Sequence, residues 1–306
     1  MSFLLFLQHG WADTHRKMQR LAQLLGQEAA VIPDLGFWRT WGPMAPLVDT
    51  VEAIAQTHLV AQPELPVRVV GHSMGGLIWL ELLQRRPEWR SRLHSLVLLG
   101  SPVGGADLAR LLQPLSLWPT VAPDLARSRR DLATAIAREV PVLSLASDWD
   151  GGSDGTVLVQ STWVAGAYLQ TLPGIRHPVL HCHPATAAAI QKFWSTLPAP
   201  TVHPFTEPLV QKLAAIPGMT DAHPRDRHRA QPWFTTATGW EMRRWVSPLG
   251  LPHVFVWNPA KAYAYGGWSG DRWGFWQRVQ QAVATIPQSH SPSPVLGEGP
   301  GVRESP

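Results

Sequence analysis

The chain has 306 residues, 45% of them hydrophobic and 16% charged, which suits one large globular domain with an appended region. Its formal net charge of +4 is small and its basic residues are scattered, so a nucleic-acid-binding protein is disfavoured. The single cysteine, Cys182, excludes an intrachain disulfide framework and favours a reducing compartment.

Strand-like and helix-like segments alternate through about residue 196, which predicts βα units around a mostly parallel sheet. The predicted strands are 3–7, 29–33, 67–70, 95–99, 141–146 and 167–172. The first apolar run is too short for a signal peptide, and no segment approaches the roughly 20 apolar residues that cross a bilayer. We therefore expect a cytoplasmic protein without a transmembrane segment.

The composition changes twice along the chain. Residues 106–130 are leucine-rich and contain three prolines, which predicts a short helical cap over the strand ends. Prolines then mark a boundary after Leu197, and residues 198–287 combine tryptophans with hairpin-like patterns. We expect a catalytic domain over 1–197, an α+β extension over 198–287 and a disordered tail over 288–306. A few strands with one apolar face are unstable alone, so the extension should dock on the preceding domain.

The most informative motif is Gly71-His-Ser-Met-Gly75, with a predicted strand before it and a helical pattern after it. This G-x-S-x-G context predicts a nucleophile elbow, in which Gly71 and Gly75 permit a tight turn that exposes Ser73. The alternative is a glycine-rich turn with an idle serine. His72 is expected to be structural, because it points away from the face that carries Ser73.

An elbow of this kind predicts an acid and then a histidine further along the chain. Asp154 is preferred as the acid, because the Asp154-Gly-Thr-Val turn would direct its carboxylate towards the site, and Asp148 and Asp150 are the alternatives. The spacing of these aspartates departs from an EF-hand, so calcium is disfavoured.

Three histidines lie in the loop that follows the last predicted strand of the sheet. His177 is preferred as the base because it comes first, with His183 as second choice and His181 as a further candidate. The run His181-Cys182-His183 lacks the usual zinc spacing, and no metal or other cofactor is expected.

The same mechanism needs backbone donors for an oxyanion. One is the N–H of Met74, and the second is the N–H of Trp11 in the loop after the first strand, where Gly10 allows close approach. His9 is expected to hydrogen-bond this loop.

Taken together, these motifs resemble the lipase- and esterase-like branch of the α/β-hydrolase superfamily over about residues 3–196. The resemblance implies that Ser73, Asp154 and His177 are the catalytic triad and that Trp11 and Met74 are the oxyanion donors. It also implies serine carboxylester hydrolysis. The first two antiparallel strands of the family are missing, and residues 198–290 resemble no family.

We therefore expect hydrolysis of a small-molecule or lipid ester with an apolar acyl group, through an acyl-serine intermediate. Apolar loops containing Trp11, Trp38 and Trp41 favour such an acyl group. Thioesterase, amidase or acyltransferase activity uses the same residues, and a non-catalytic binding protein of the same fold is the alternative from another class. The sequence predicts no oligomeric state.

Overall fold

The computed structural model describes residues 2–105, 121–201 and 204–288, and its first part is built on a five-stranded parallel sheet. The strands lie side by side in chain order: β1 Leu4–Gln8, β2 Val67–His72, β3 Leu93–Leu99, β4 Val142–Asp148 and β5 Tyr168–Pro173. The predicted α/β class is thereby confirmed. The predicted strand at 29–33 forms only an isolated bridge between Val31 and Phe6, because Pro33 has no N–H to extend the ladder.

Helices cover both faces of this sheet, as the alternating apolar residues of β1 require. Leu4 and Phe6 belong to one core cluster, and Leu5 and Leu7 belong to the other. The first cluster includes residues of α2 (Ala45–Ala61), α3 (Met74–Arg85) and α5 (Arg130–Ala137), and the second includes residues of α1 (His15–Leu25) and α7 (Pro184–Thr196).

The remaining short elements lie in the connections. They are the helices α4 (Ala122–Ala126) and α6 (His177–Leu180) and the 3-10 turns Phe37–Trp41, Pro87–Arg92, Val159–Thr162, Pro204–Thr206 and Pro224–Arg229. Of the predicted cap at 106–130, residues 106–120 lie outside the described residues, as does all of the predicted tail beyond Gln288.

A second sheet, antiparallel, follows residue 204. Its strands are β6 Thr220–Asp221, β7 Gln231–Thr235, β8 Glu241–Val246, β9 Pro252–Trp257 and β10 Tyr263–Trp268, in the order β6-β10-β9-β8-β7. Helices α8 (Pro208–Ala214) and α9 (Phe275–Val283) share a core cluster with this sheet. Asp271 accepts from the Trp273 N–H ahead of α9, and the Trp273 side chain is exposed.

Glycines allow β1, β2 and α3 to meet without side chains between them. A methyl group at Gly75 would lie 2.3 Å from the Gln8 carbonyl oxygen and 2.8 Å from that of His9. At Gly71 it would lie 2.5 Å from Gly76 Cα. These contacts are with backbone atoms, which cannot rotate away. The end of β1 is therefore pressed against the start of α3.

We predict that Gly75→Ala lowers the free energy of unfolding by at least about 2 kcal/mol, because overpacking against backbone forces main-chain shifts. Alanine has the better helix propensity by about 1 kcal/mol, but that gain is smaller than the cost of the clash. Urea unfolding followed by tryptophan fluorescence measures the difference. Gly270→Ala is the matched control, since a methyl group there would meet no atom within 4 Å. Equal stability of the two variants would contradict the packing described here.

Candidate active site

Ser73 occupies the turn between β2 and α3 in a conformation that is rare for a residue with a side chain. Its φ is 56° and its ψ is −125°. The turn is held because the Ser73 N–H donates to the Leu99 carbonyl at 2.8 Å and the Gly76 N–H donates to the Ser73 carbonyl at 3.1 Å. Strain of this kind is typical of a nucleophile elbow, where the serine is presented at the carboxyl edge of the sheet.

Asp154 and His177 form a buried hydrogen-bonded pair at the same edge of the sheet. His177 Nδ1 lies 2.6 Å from Asp154 Oδ2, and the His177 N–H donates to the Asp154 carbonyl at 2.9 Å. Asp154 Oδ1 accepts from the N–H groups of Thr156 and Val157 at 3.0 and 2.7 Å. With Nδ1–H donated to the carboxylate, Nε2 of His177 is left as the basic nitrogen.

The other two candidate acids have other partners. Asp148 Oδ1 accepts from the N–H groups of Gly151 and Gly152, so it shapes the loop. Asp150 accepts from Ser153 and lies 3.2 Å from His223. Among the three aspartates, Asp154 is the one that the fold brings to His177.

Gly10 and Met74 are brought together where an oxyanion hole would lie. A methyl group at Gly10 would be 2.9 Å from both the Met74 nitrogen and Ser73 Cβ, so the loop after β1 runs directly over the elbow. Neither the Trp11 nor the Met74 backbone N–H donates to another described residue. His9 secures the loop, as expected: its Nδ1 lies 3.2 Å from the Gly10 carbonyl oxygen, and its Nε2 accepts from the Leu35 N–H at 3.1 Å.

The chain matches known proteins at the level of fold. A family model described as "Serine aminopeptidase, S33" matches residues 36–150. The propeptide form of a Bacillus licheniformis lipase aligns with a TM-score of 0.54 and 13% identity, over 88% of this chain and 72% of the lipase. The chain has an α/β-hydrolase fold. The predicted fold is confirmed.

Two further structures align with a smaller share of the chain. The mature form of the same lipase aligns with a TM-score of 0.48 and 14% identity, over 63% of this chain and 91% of the other. A metagenomic carboxyl esterase aligns with a TM-score of 0.48 and 19% identity, over 63% and 75%. No relative was found among curated protein sequences.

The match to the propeptide form extends into the second sheet. Since 88% of 306 residues is about 269, at least about 72 matched residues lie beyond residue 197. The C-terminal sheet therefore has a structural counterpart, although the sequence pattern of residues 198–290 resembled no family. In the described part of the chain, no helix has the length and apolarity needed to span a bilayer.

Two further histidines, His72 and His181, lie beside the Asp154–His177 pair, in an arrangement that the sequence did not predict. The His72 ring stacks on that of His181 with centroids 4.0 Å apart, and its centroid lies 4.7 Å from that of the tilted His177 ring. His181 Nε2 lies 3.0 Å from Asp13 Oδ2. His183 caps α7 by accepting from the Ala185 N–H. His72 is thus buried beside the proposed base.

Asp13, His72 and His181 are the one group of potential metal ligands among the described residues, with ligand atoms within 4.8 Å of one another. Two features favour packing over coordination. Lys17 Nζ lies 3.4 Å from Asp13 Oδ1, so the carboxylate already faces a cation. The rings of His72 and His181 stack with centroids 4.0 Å apart and an interplanar angle of 24°, so the lone pairs of their nitrogens lie in two nearly parallel planes instead of converging on one point.

The histidine stack predicts a pH-dependent stability. Burial holds the pKa of His72 well below its ordinary value, and the neighbouring His181 and His177 lower it further. Burial also lowers the pKa of His181, although the nearby Asp13 carboxylate opposes this shift. The unfolded chain takes up protons on these rings as the pH falls to about 6.5, whereas the lowered pKa values delay this uptake to lower pH in the folded chain. Unfolding is therefore favoured as the pH falls below that value, by up to about 1.4 kcal/mol per pH unit for each histidine.

We predict that His72→Phe, which keeps a flat ring but cannot titrate, reduces the loss of stability between pH 6.5 and 5. The slope is obtained from urea unfolding at several pH values. His228→Phe, at an exposed histidine, is the control and should leave the slope unchanged. A His72→Phe slope equal to that of the unmodified chain would contradict the account of the stack.

Proposed function

We propose that this α/β-hydrolase is a serine hydrolase that cleaves carboxylic esters through an acyl-serine intermediate. The observation that carries the proposal is the hydrogen bond between Asp154 and His177, beside an elbow that presents Ser73. An idle serine in a glycine-rich turn would need neither a buried carboxylate–imidazole pair nor a strained φ. A binding protein that had lost catalysis would have no need to keep all three residues.

In the proposed mechanism His177 is the general base and then the general acid. Its Nε2 takes the Ser73 Oγ proton as Oγ forms a bond to the acyl carbon of the ester. The N–H groups of Met74 and Trp11 receive the resulting oxyanion. Collapse of the tetrahedral intermediate breaks the bond to the alcohol oxygen, which leaves with the proton from Nε2. Water then attacks the acyl carbon of the acyl-serine as Nε2 takes its proton. Collapse of this second intermediate breaks the bond to Ser73 Oγ, which regains the proton from Nε2, and the carboxylic acid leaves.

Asp154 has two roles in this scheme. Its Oδ2 holds Nδ1–H of His177, which fixes the tautomer in which Nε2 is basic, and its charge stabilises the imidazolium that forms during transfer. Two backbone N–H groups bind the second oxygen, Oδ1, and orient the carboxylate. The same residues support thioester or amide cleavage and acyl transfer, and the description of the matching family model, a serine aminopeptidase, makes amides the second candidate substrate.

Aromatic side chains next to the proposed oxyanion loop favour an apolar acyl group. The rings of Trp11 and Trp41 are 4.6 Å apart, and Trp38 is 80% exposed. This segment is tied to the loop because the Ala12 N–H donates to Thr40 Oγ1 at 3.0 Å. An acyl chain bound at Ser73 would meet this apolar surface, where burial of each methylene is worth about 0.8 kcal/mol.

We predict that Ser73→Ala lowers kcat/KM for p-nitrophenyl butyrate at least about a thousandfold, since only oxyanion and binding effects remain without the nucleophile. The measurement uses the full chain and compares p-nitrophenyl butyrate with butyryl-p-nitroanilide. Faster cleavage of the ester is expected, and faster cleavage of the anilide would favour the peptidase-like alternative.

Matched variants separate the roles within this test. Ser91→Ala, at an exposed serine, should leave turnover unchanged. Asp154→Asn and His177→Ala should be far more damaging than Asp148→Asn and His183→Ala. Full activity of a folded Ser73→Ala protein would refute the proposed function.

A further inference from the structure

The two sheets meet at Gln160, whose side-chain amide is fully used across the boundary. Its Nε2 donates to Asp221 Oδ1 at 3.0 Å and to the Gly266 carbonyl at 2.6 Å. Its Oε1 accepts from the Gly266 N–H and the Tyr263 hydroxyl, both at 3.0 Å. An amide offers two donors and two acceptor positions, and here all four are engaged. The opposite amide orientation would turn an oxygen towards the Asp221 carboxylate, so the orientation is determined.

An ion pair strengthens the same contact. Arg130, at the start of α5, places Nη2 2.6 Å from Asp221 Oδ2 and donates from it to the Gln160 carbonyl at 2.8 Å. Asp221 is 3% exposed, so the pair is largely removed from water. A methyl group at Gly104 would lie 2.3–2.5 Å from atoms of both partners, so the pair rests against the loop after β3. Loss of one partner would leave a buried charge unpaired, which is costly.

A second contact lies at the other end of the connection from β4 to β5, the connection that contains Gln160. His223 Nε2 is 3.2 Å from Asp150 Oδ1. The Pro224 ring covers Gly152, where a methyl group would be 2.5 Å from the ring. Asp154 lies between this contact and the one at Gln160. The connection from β4 to β5 that carries the proposed catalytic acid is therefore held on both sides by residues of the C-terminal region.

We propose that the C-terminal sheet positions the catalytic acid, with Asp221 and Tyr263 acting as positioning residues through Gln160. This inference rests on the proposed function, because it assigns the sheet a role in the Asp154–His177 contact. The connection spans residues 149–167 and contains one short 3-10 turn, Val159–Thr162. A connection of this length and irregularity has many accessible conformations, and contacts at both ends restrict them. Misplacement of a catalytic group by about 1 Å can cost a hundredfold in rate.

The test uses full-length Asp221→Asn and Tyr263→Phe, the second removing one hydroxyl contact. We expect Asp221→Asn to lower kcat for p-nitrophenyl butyrate about tenfold while KM changes less than about twofold, because the acid is displaced and the substrate surface is not. Tyr263→Phe should lower kcat by a smaller factor. Asp271→Asn is the matched control, since Asp271 pairs with Arg278 at 2.7 Å in the same region but on the surface. It should leave kcat unchanged.

A double-mutant cycle separates positioning from general destabilisation. If Asp221 acts through Asp154, Asp221→Asn should have no further effect on fluorophosphonate labelling of Ser73 in the Asp154→Asn chain. Losses of labelling rate that multiply in the double variant would overturn the proposal. Unchanged kcat in a folded Asp221→Asn protein would also overturn it, because the sheet would then have no role in catalysis, and higher kcat would indicate that the sheet inhibits. If Asp221→Asn fails to fold, Tyr263→Phe decides by the same comparison. Failure of the proposed function itself is recognised separately, by an active Ser73→Ala protein.

Discussion

The candidate site depends on one steric constraint, the close approach of β1, β2 and α3 at Ser73. Glycines at positions 10, 71 and 75 leave room for backbone to lie against backbone, with distances of 2.3–2.9 Å to any added methyl group. This packing holds Ser73 at a positive φ and brings the loop after β1 over the N-terminus of α3. The nucleophile, its neighbour Met74 and Gly10 are therefore placed by the same contact. Polar groups that do not belong to this contact could move without disturbing it.

The proposed catalytic acid and base are placed by a different means. His177 begins the short helix α6 directly after β5, and Asp154 lies in the long connection that precedes β5. The parallel sheet brings both to its carboxyl edge, but the position of the acid also depends on contacts far along the chain. Gln160 donates to Asp221, which lies 61 positions further along the chain in β6 of the second sheet. The two sheets share no strand, and this hydrogen-bonded contact connects them.

Motifs with a local mechanism could be read from the sequence. The strand, turn and helix around Ser73 followed from apolar runs and glycines. The Asp154-Gly-Thr-Val turn favoured Asp154, and His177 was favoured because it comes first after the last predicted strand. Residues 29–33 were predicted as a strand but form only a bridge at Val31, because an apolar pattern does not show that Pro33 lacks a backbone N–H.

Contacts between distant residues could not be predicted in this way. Asp13, His72 and His181 are separated by 59 and 109 positions, and only the fold brings them together. Gln160 and Asp221 belong to no sequence motif. What distinguishes Gln160 is that its buried amide has all its hydrogen bonds satisfied, and a single sequence does not show this.

The most direct test of the central claim is to locate the covalent adduct formed with a fluorophosphonate. The full chain is labelled, digested and analysed by mass spectrometry, with the His177→Ala variant treated in parallel. The account predicts one adduct, on Ser73, with its formation strongly slowed when His177 is absent. An unlabelled wild-type protein, or an adduct on another residue with Ser73 unmodified, would contradict it.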